Sequence, residues 1–436
     1  MPLSTERPHP PQAFPFDVRI IESTDAEQVE RLLTGSAQRD PRITRRVTRI
    51  VAEVRTRGDA ALLDYARRLD GLDQPLEVTR PEMRRAARAV PAEVRAAISL
   101  AARNARTVAR RQVPKGWRIA TAPGVQVEQR VTPLDRVGCY VPGGRYPLPS
   151  SLLMTAIPAR VAGVAEIIAV CPRPDGTVML AALEAGVDRL LRVGGAHAVA
   201  ALAYGTESVP RVDKIVGPGN AYVAAAKALV ANDCAIDFFA GPSEIVIVST
   251  RGRAAWIAAD LLAQAEHDPH ARAVFLTPSR ALAAAVQQEC VRQMPAEGPA
   301  AEAFNRYGGI IVTRSLDEAV DLCQRIAPEH VVCDTRSIAA KLTRAGTVFV
   351  GEWSAQALGD YTTGSNHVLP TGGAAVARGG LTAADFVRVA TVQRVTRAGL
   401  SNIGPAAAAL ARAEGLMAHA RSIEIRTARS GRKTTS

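Results

Sequence analysis

Several histidines of this chain stand close in sequence to a carboxylate or an amide, the side chains from which acid–base and metal sites are built. The groups are Gln264 with Glu266-His267, Glu329-His330, Asp360 with His367, and Glu414 with His419. Burying such groups in a largely apolar chain costs free energy unless they are paired or coordinated. We therefore expect an enzyme in which some of these groups form a metal or acid–base site.

Gln264 and His267 fall three residues apart at the end of the predicted helix AAWIAADLLAQAEH, which Pro269 stops. This spacing places both side chains on one face of the last helical turn. One imidazole and one amide oxygen supply half of a metal site, and Zn²⁺ accepts both ligand types. The alternative for the pair alone is an ordinary hydrogen bond at a helix end.

The segment GDYTTGSNHVLPTGG offers a carboxylate partner. Gly359 lets Asp360 occupy a tight backbone position, and Gly364 permits another sharp turn before His367. An ordinary polar loop is the alternative interpretation of this segment.

Glu414 and His419 are too far apart around a helix to share one face. Gly415 resolves the difficulty, because a glycine there predicts a left-handed cap that ends the helix. The chain could then bring His419 back toward Glu414.

Glu329 and His330 follow Pro328 at the start of the predicted strand HVVCD. Adjacent residues on extended chain project to opposite sides, so we expect different tasks for them at one edge of a site. A glutamate can activate water, and an imidazole can exchange protons with an alcohol near neutral pH. A surface pair at a strand start is the alternative.

Two glycine-rich turns follow predicted strands, in VGCYVPGGRYP and in IVGPGNAYVAAAKALV. In the second, free backbone N–H groups at the helix start could meet a phosphate. Neither matches the G-x-G-x-x-G pattern, so each motif by itself is a simple strand-to-helix turn.

The elements that must position these residues change character along the chain. Helical periodicity without strands runs to about Val113, and two series of short apolar strands alternating with helices then predict parallel sheets. After Gly379 we expect helices and no further strands. The predicted class is α/β, with two Rossmann-like parallel layers and helical extensions at both ends. The predicted regions are a disordered leader at 1–18, a helical region at 19–130, α/β domains at 131–243 and 244–380, a helical dimerisation segment at 381–428, and a basic disordered tail at 429–436.

Composition agrees with a globular enzyme. Of 436 residues 47% are hydrophobic, yet the apolar stretches are too short or too interrupted for a membrane span. Prolines interrupt the N-terminus where a signal peptide needs an apolar run, and six scattered cysteines indicate reduced thiols, so we expect a cytoplasmic protein. The net charge of +12 invites a nucleic-acid hypothesis, but no aromatic residues interleave the basic segments, so no nucleic-acid partner is expected.

Six motifs together resemble histidinol dehydrogenase, in the same order and at similar spacing, from about Arg42 to Arg426. They are IVGPGNAYVAAAKALV, IDFFAGPSEIVI, DLLAQAEHDP, APEHV, GDYTTGSNHVLPTGG and AEGLMAHARSI. The resemblance implies a four-electron oxidation of L-histidinol, through the aldehyde, to L-histidine, with one zinc ion per subunit and two NAD. It also implies a homodimer in which the C-terminal segment completes the partner's site.

The resemblance assigns roles residue by residue. The implied roles are zinc binding for Gln264, His267, Asp360 and His419, proton transfer for His330, water activation for Glu329, NAD contact for Tyr140, His197 and Asn220, and substrate contact for Ser243, His367 and Glu414 together with the zinc ligands and His330. Zinc would act mainly as a template that orients the substrate.

One departure from the family concerns the cofactor. The family usually reads G-G-A-Q-A where this chain reads Gly194-Gly195-Ala196-His197-Ala198, so an imidazole replaces an amide. His197 could still donate one hydrogen bond. Two alternatives stay open: a related dehydrogenase of another small polar alcohol, such as a sulfonated diol, and a basic nucleic-acid-binding protein.

Overall fold

The computed structural model describes residues 18–34, 40–143, 147–238 and 241–427. Two six-stranded, mainly parallel sheets and one three-stranded antiparallel sheet form its frame. This confirms the predicted α/β class with two parallel layers. The predicted tail at 429–436, and the predicted leader apart from Val18, lie outside the described residues.

The N-terminal region supplies five helices and four strands. In chain order they are β1 (Ile20–Glu22), α1 (Ala26–Thr34), α2 (Pro41–Arg57), α3 (Asp59–Tyr65) continued by a π-helical turn (Ala66–Asp70), β2 (Glu77–Val78), α4 (Arg80–Ala89), α5 (Ala92–Gln112), β3 (Trp117–Ala122) and β4 (Val125–Pro133). The helices begin at recognisable caps. Asp40, for example, accepts the N–H of Arg42 ahead of α2.

The first α/β layer alternates strands and helices. It contains β5 (Arg136–Tyr140), α6 (Pro149–Ala162), β6 (Glu166–Val170), α7 (Gly176–Ala185), β7 (Arg189–Leu191), α8 (Gly195–Tyr204), β8 (Lys214–Val216), α9 (Ala221–Val230) and β9 (Ala235–Ile236). The sheet order is β2-β7-β6-β5-β8-β9. The direction of winding therefore reverses between β5 and β8, and such switch points open a crevice at the carboxyl ends of the strands.

The second layer repeats the plan. It contains β10 (Glu244–Val248), α10 (Ala254–Ala265), β11 (Arg272–Thr277), α11 (Arg280–Gln293), α12 (Ala300–Tyr307), β12 (Gly309–Val312), α13 (Leu316–Ile326), β13 (His330–Cys333), α14 (Arg336–Ala339), β14 (Thr347–Val350) and α15 (Ala357–Tyr361). The sheet order is β1-β12-β11-β10-β13-β14, with every pair parallel. Buried aliphatic side chains cover both faces, as parallel sheets require.

The C-terminal region closes the molecule. It contains short 3₁₀ turns (Ala374–Val376 and Ala383–Phe386), β15 (Val387–Val395), α16 (Arg397–Ala413) and α17 (Met417–Thr427). The two helices pack on each other around Ala408, Ala411 and Ala420. β15 pairs antiparallel with β4, which pairs with β3.

Two expectations about strands were wrong. The segment predicted to be helical after Gly379 includes β15, whose nine residues pair with β4 from Val387 opposite Pro133 to Val395 opposite Val125. The region predicted to be helical at 19–130 also has strands, since β1 lies beside β12, β2 lies beside β7, and β3 pairs with β4. These strands are short, exposed or both, and for β1, β2 and β15 partners far away in sequence decide the conformation, which local periodicity does not reveal.

Two expectations from composition can be compared with the structure. In the described part of the chain, no helix combines the length and the apolar character that crossing a membrane requires. All six cysteines are free thiols in the protein interior, as expected for reduced thiols.

Candidate active site

The backbone of Glu244 holds both members of the Glu329-His330 pair. Its N–H donates to Oε2 of Glu329 at 2.9 Å, and its carbonyl oxygen lies 3.1 Å from Nδ1 of His330. A carbonyl can only accept, so Nδ1 of His330 carries the proton and Nε2 presents a lone pair. Glu244 and His330 begin the adjacent parallel strands β10 and β13. The pair therefore stands at the amino ends of the second sheet.

The side chains of Glu329 and His330 converge instead of pointing to opposite sides. Oε2 of Glu329 lies 3.6 Å from Nδ1 of His330. The expected alternation fails because Glu329 precedes β13 and Ala327, two residues earlier, has a φ of 46°. A left-handed alanine costs about 1–2 kcal/mol, and such strain is concentrated at functional sites.

Burial favours the neutral forms of this pair. It raises the pKa of Glu329 well above its ordinary value, and the charges of Glu244 and Asp360 act in the same direction. It also lowers the pKa of His330 to about 4, against the opposing influence of Asp360. A neutral imidazole with an exposed lone pair can accept a proton.

Asp360, in α15, lies opposite His330. Its Oδ1 is 3.7 Å from Nε2 of His330, and its Oδ2 accepts a hydrogen bond from Nε2 of Gln356 at 2.7 Å. Its carbonyl oxygen lies 2.8 Å from Nδ1 of His367, so Nε2 of that imidazole is also free of a proton, 3.5 Å from the hydroxyl of Ser151. Burial lowers the pKa of His367.

The two glycines of this segment serve different purposes. Gly364 has a φ of 91°, and a Cβ there would lie 2.6 Å from the carbonyl oxygen of Asn104, which confirms the predicted sharp turn. Gly359 lies within α15, where a Cβ would lie 2.5 Å from the ring of Phe349. Close packing therefore requires Gly359.

Gln264 and His267 lie at the C-terminal end of α10. The helix ends at Ala265, so His267 lies just beyond the predicted last turn. Its Nδ1 is 3.0 Å from the carbonyl oxygen of Ala263, which leaves Nε2 unprotonated. The charge of His267 contributes to the lowered pKa values of His330 and His367. Gln264 is 1% exposed, and its Oε1 has no hydrogen-bond partner among the described residues.

Glu414 and His419 are not brought to this cluster within one chain. Glu414 caps α16 and Gly415 has a φ of 75°, as the predicted left-handed cap requires. Both side chains are exposed, and neither makes a hydrogen bond or ion pair to another described residue. The described part of the chain likewise contains no group of three or more histidine, cysteine, aspartate or glutamate side chains arranged to hold a metal ion.

Ser243 lies beside Glu329. It precedes β10 directly, its carbonyl oxygen accepts the N–H of Arg272 at 2.9 Å, and its side chain acts to lower the pKa of Glu329. A hydroxyl held against the acid–base pair could meet a polar substrate there.

The residues expected at the cofactor lie at the carboxyl ends of β5, β7 and β8. The hydroxyl of Tyr140, at the end of β5, accepts the N–H of Gly195 at 3.0 Å. Asn220 caps α9, where its Oδ1 accepts the N–H groups of Tyr222 and Val223 at 3.0 and 3.2 Å. Two of the backbone donors that the sequence suggested for a phosphate therefore already have a partner.

His197 is buried behind the Gly194-Gly195 turn. Its Nε2 lies 2.9 Å from Oδ2 of Asp70, which also accepts the N–H of Gly194 at 2.9 Å. Its ring stacks on Tyr65 at a centroid distance of 5.8 Å. The hydrogen bond that His197 can donate is thus directed to Asp70, while its other ring edge faces Gly195.

Three residues of the site were missed from the sequence: Glu244, Gln356 and Asp70. Glu244 acts through its backbone, which carries no residue-type signal, although it directly follows Ser243. Gln356 precedes Asp360 by four residues, a spacing that places side chains near each other on helical chain. Asp70 belongs to a distant helical segment, and no local pattern links it to His197.

Comparisons with known proteins identify the family of this chain. The family model for histidinol dehydrogenase matches residues 33–427. Histidinol dehydrogenase from Aromatoleum aromaticum is 46% identical over 428 residues, covering 94% of this chain and 98% of that protein. The counterpart from Geobacillus kaustophilus is 48% identical over 395 residues, covering 88% and 93%. The crystal structure of histidinol dehydrogenase from Elizabethkingia anophelis matches with a TM-score of 0.89 at 32% identity, covering 94% and 98%. The chain belongs to the histidinol dehydrogenase family of NAD-dependent oxidoreductases.

Proposed function

We propose that this protein oxidises L-histidinol through the aldehyde to L-histidine, with reduction of two NAD. One observation carries the proposal. Each of the imidazoles His267, His330 and His367 has Nδ1 against a backbone carbonyl, of Ala263, Glu244 and Asp360 respectively. The hydrogen bonds orient the rings and leave every Nε2 as a base or a ligand, the arrangement that metal and acid–base sites use.

In the first half of the reaction, Nε2 of His330 takes the proton of the substrate hydroxyl as hydride leaves the same carbon for NAD. A base with a depressed pKa is unprotonated at neutral pH and ready for this transfer. In the second half, Glu329 in its ionised form takes a proton from the water that attacks the aldehyde carbon, and the hydrate then gives hydride to the second NAD. A cation bound nearby would counter the burial that raises the pKa of this carboxyl. The N–H of Glu244 and the Ser243 hydroxyl orient its carboxyl for that role.

The residues at the site fit a zinc ion. Gln264, His267 and Asp360 would supply ligands from one subunit. The strongest support is the buried Oε1 of Gln264, because a buried acceptor without a donor calls for a positively charged partner. When bound, zinc acts as a Lewis-acid template that orients the amino alcohol. Within one subunit this proposed ligand set contains one histidine, His267, and one carboxylate, Asp360, besides the amide of Gln264. It is therefore compatible with the finding that the described residues contain no group of three or more histidine, cysteine, aspartate or glutamate side chains arranged to hold a metal ion.

NAD would bind at the crevice of the first sheet, between the ends of β5 and β8. Tyr140, His197 and Asn220 lie around the turns at this edge. Tyr140 and Asn220 would contact the cofactor directly, and His197 would support the glycine turn through Asp70. His367, whose Nε2 lies 3.5 Å from the hydroxyl of Ser151, would contact the substrate.

We further propose a homodimer in which Glu414 and His419 complete the partner's site. The helices that carry them expose large apolar side chains, with Leu410, Met417 and Ile425 between 62% and 66% exposed. An exposed apolar surface of this kind is typical of a protein interface. The six buried free thiols support a reducing compartment such as the cytoplasm.

Subunit mixing tests this dimer. Glu329→Gln and His419→Asn should each lower histidine formation to a small fraction of the wild-type rate at every site of their own homodimers. In a mixed dimer with exchange of the C-terminal segment, one of the two sites combines intact Glu329 with intact His419. Co-expression should therefore recover about a quarter of the wild-type rate. No recovery in verified mixed dimers would place His419 in the site of its own subunit.

The catalytic proposal is tested by NADH production from histidinol. Two NADH should form per histidinol consumed, and sulfopropanediol should neither react nor compete. Turnover of the diol alone would contradict the proposal. Salt-sensitive binding of DNA or RNA without NAD reduction would favour the nucleic-acid alternative.

A further inference from the structure

A buried ion pair lies directly behind the GPGN turn. Lys227 of α9 and Asp237, which follows β9, contact each other with side chains 3% and 1% exposed. Neither residue belongs to the acid–base or metal cluster described above. Placing two charges in the interior is costly, and such a pair persists only where further hydrogen bonds satisfy it.

Two of those hydrogen bonds converge on the backbone of a single residue, Gly217. The N–H of Gly217 donates to Oδ2 of Asp237 at 2.8 Å, and the carbonyl oxygen of Gly217 accepts from Nζ of Lys227 at 2.9 Å. The second oxygen of Asp237 accepts the N–H of Phe238 at 2.7 Å. The ion pair thus holds both polar groups of the Gly217 backbone.

Gly217 is itself confined. It has a φ of 119°, and a Cβ there would lie 2.2 Å from the carbonyl oxygen of Tyr140. The GPGN turn after β8 is therefore pressed against the end of β5, at the point where the winding of the first sheet reverses. Small movements of Gly217 would displace both Tyr140 and the start of α9.

We propose that Lys227 and Asp237 are positioning residues that hold Gly217 against Tyr140 and so set the shape of the NAD-binding edge. The inference rests on the proposed function, because it takes this edge as the cofactor side. We call this ion pair of Lys227 and Asp237 the clamp. Charged side chains suit this task better than water would, because their hydrogen bonds are stronger and keep one direction.

The test measures the KM values for NAD and for histidinol in a double variant that carries both Lys227→Met and Asp237→Asn. This variant removes both charges together. The KM for NAD should rise about tenfold or more, since misplaced binding groups lose affinity steeply, while the KM for histidinol changes less than about twofold. A merely structural role would raise both constants in parallel. An unchanged KM for NAD, or an equal rise in both, would overturn the proposal.

A matched control removes another ion pair of the same sheet. Arg136 and Glu166 pair at the amino ends of β5 and β6, opposite the proposed cofactor edge. Arg136→Gln with Glu166→Gln should leave both KM values within about twofold of wild type, because that edge carries no binding group. A rise in the KM for NAD equal to that of the clamp variant would overturn the proposal.

Two further measurements keep the clamp testable if the double variant does not fold. In Asp237→Asn alone, the KM for NAD should again rise while the KM for histidinol changes little. Lys227→Arg keeps the charge and should therefore retain most of the wild-type affinity for NAD. Hydrogen exchange of the Gly217 amide should accelerate in Asp237→Asn, and unchanged exchange would contradict the clamp. A wild-type protein that makes no NADH from histidinol would instead contradict the proposed function, and exchange together with calorimetry of NAD binding would then decide on the clamp.

Discussion

Nε2 of His330 and Oδ1 of Asp360 face each other at 3.7 Å. Since Nδ1 of His330 donates to the carbonyl of Glu244, both facing atoms are acceptors. Two acceptors stabilise each other only when a proton or a cation lies between or beside them. The relationship therefore supports a site that receives a substrate hydroxyl and a metal ion together.

Glu329→Gln should separate the two halves of the reaction. Glutamine keeps the size of the side chain and can still accept the N–H of Glu244, but it cannot take a proton from water. Oxidation of histidinal should fall roughly 100-fold or more, while hydride transfer from histidinol changes far less. Stopped-flow assays that start from each compound measure the two steps. Equal losses in both would contradict the division of roles between Glu329 and His330.

Removal of a proposed zinc ligand should lower the zinc content of the purified protein, which can be measured independently of activity. His419→Asn and Gln264→Ala should each retain less than about half of the wild-type zinc after dialysis, because a tetrahedral site tolerates loss of a ligand poorly. Metal analysis by mass spectrometry is the measurement. His270→Asn is the control, since His270 lies three residues after His267 but pairs with Asp268. Unchanged zinc in His419→Asn would remove His419 from the ligand set.

His197 should matter for stability through its hydrogen bond to Asp70. His197→Ala removes the imidazole donor from the carboxylate of Asp70 and leaves the N–H of Gly194 in place. The loss should lower the free energy of unfolding by about 1–3 kcal/mol. His197→Gln can donate to Asp70 and should lose less than about 1 kcal/mol, with little change in the KM for NAD. Urea denaturation gives the comparison. Equal stability of the alanine variant and wild type would show that the Asp70 contact contributes nothing.

Asp260 gives a prediction about pH. Burial raises its pKa from 3.8 to about 6, against a backbone hydrogen bond from Gln356. Because the folded form binds the proton more tightly than the unfolded form, the charged side chain destabilises the protein increasingly as pH rises from about 4 to 6. Asp260→Asn should stabilise the protein by up to about 3 kcal/mol at pH 8 and by less at pH 5. Thermal denaturation at both pH values is the measurement, and an equal gain at each would refute the shifted pKa.

Much of the fold follows from local pattern. The alternation of apolar strands and helices predicted both parallel layers, and Gly415 predicted the left-handed cap after Glu414. The strand β15 could not be recognised this way, because its residues are mostly exposed and its partner β4 lies more than 250 residues earlier in the chain. Pairing between such distant segments is a property of the folded molecule.

The features of the active site also separate into those set by local sequence and those set by tertiary contacts. The sequence by itself determined the residue types, the motifs of the histidinol dehydrogenase family and the helix-end position of Gln264, since these depend on neighbours along the chain. Only the tertiary structure decided that the backbone of Glu244 orients Glu329 and His330. The same is true of the contact between His197 and Asp70, and of the hydrogen bonds by which Lys227 and Asp237 hold Gly217. These contacts join residues from separate elements, and backbone groups, which every residue carries alike, make many of them.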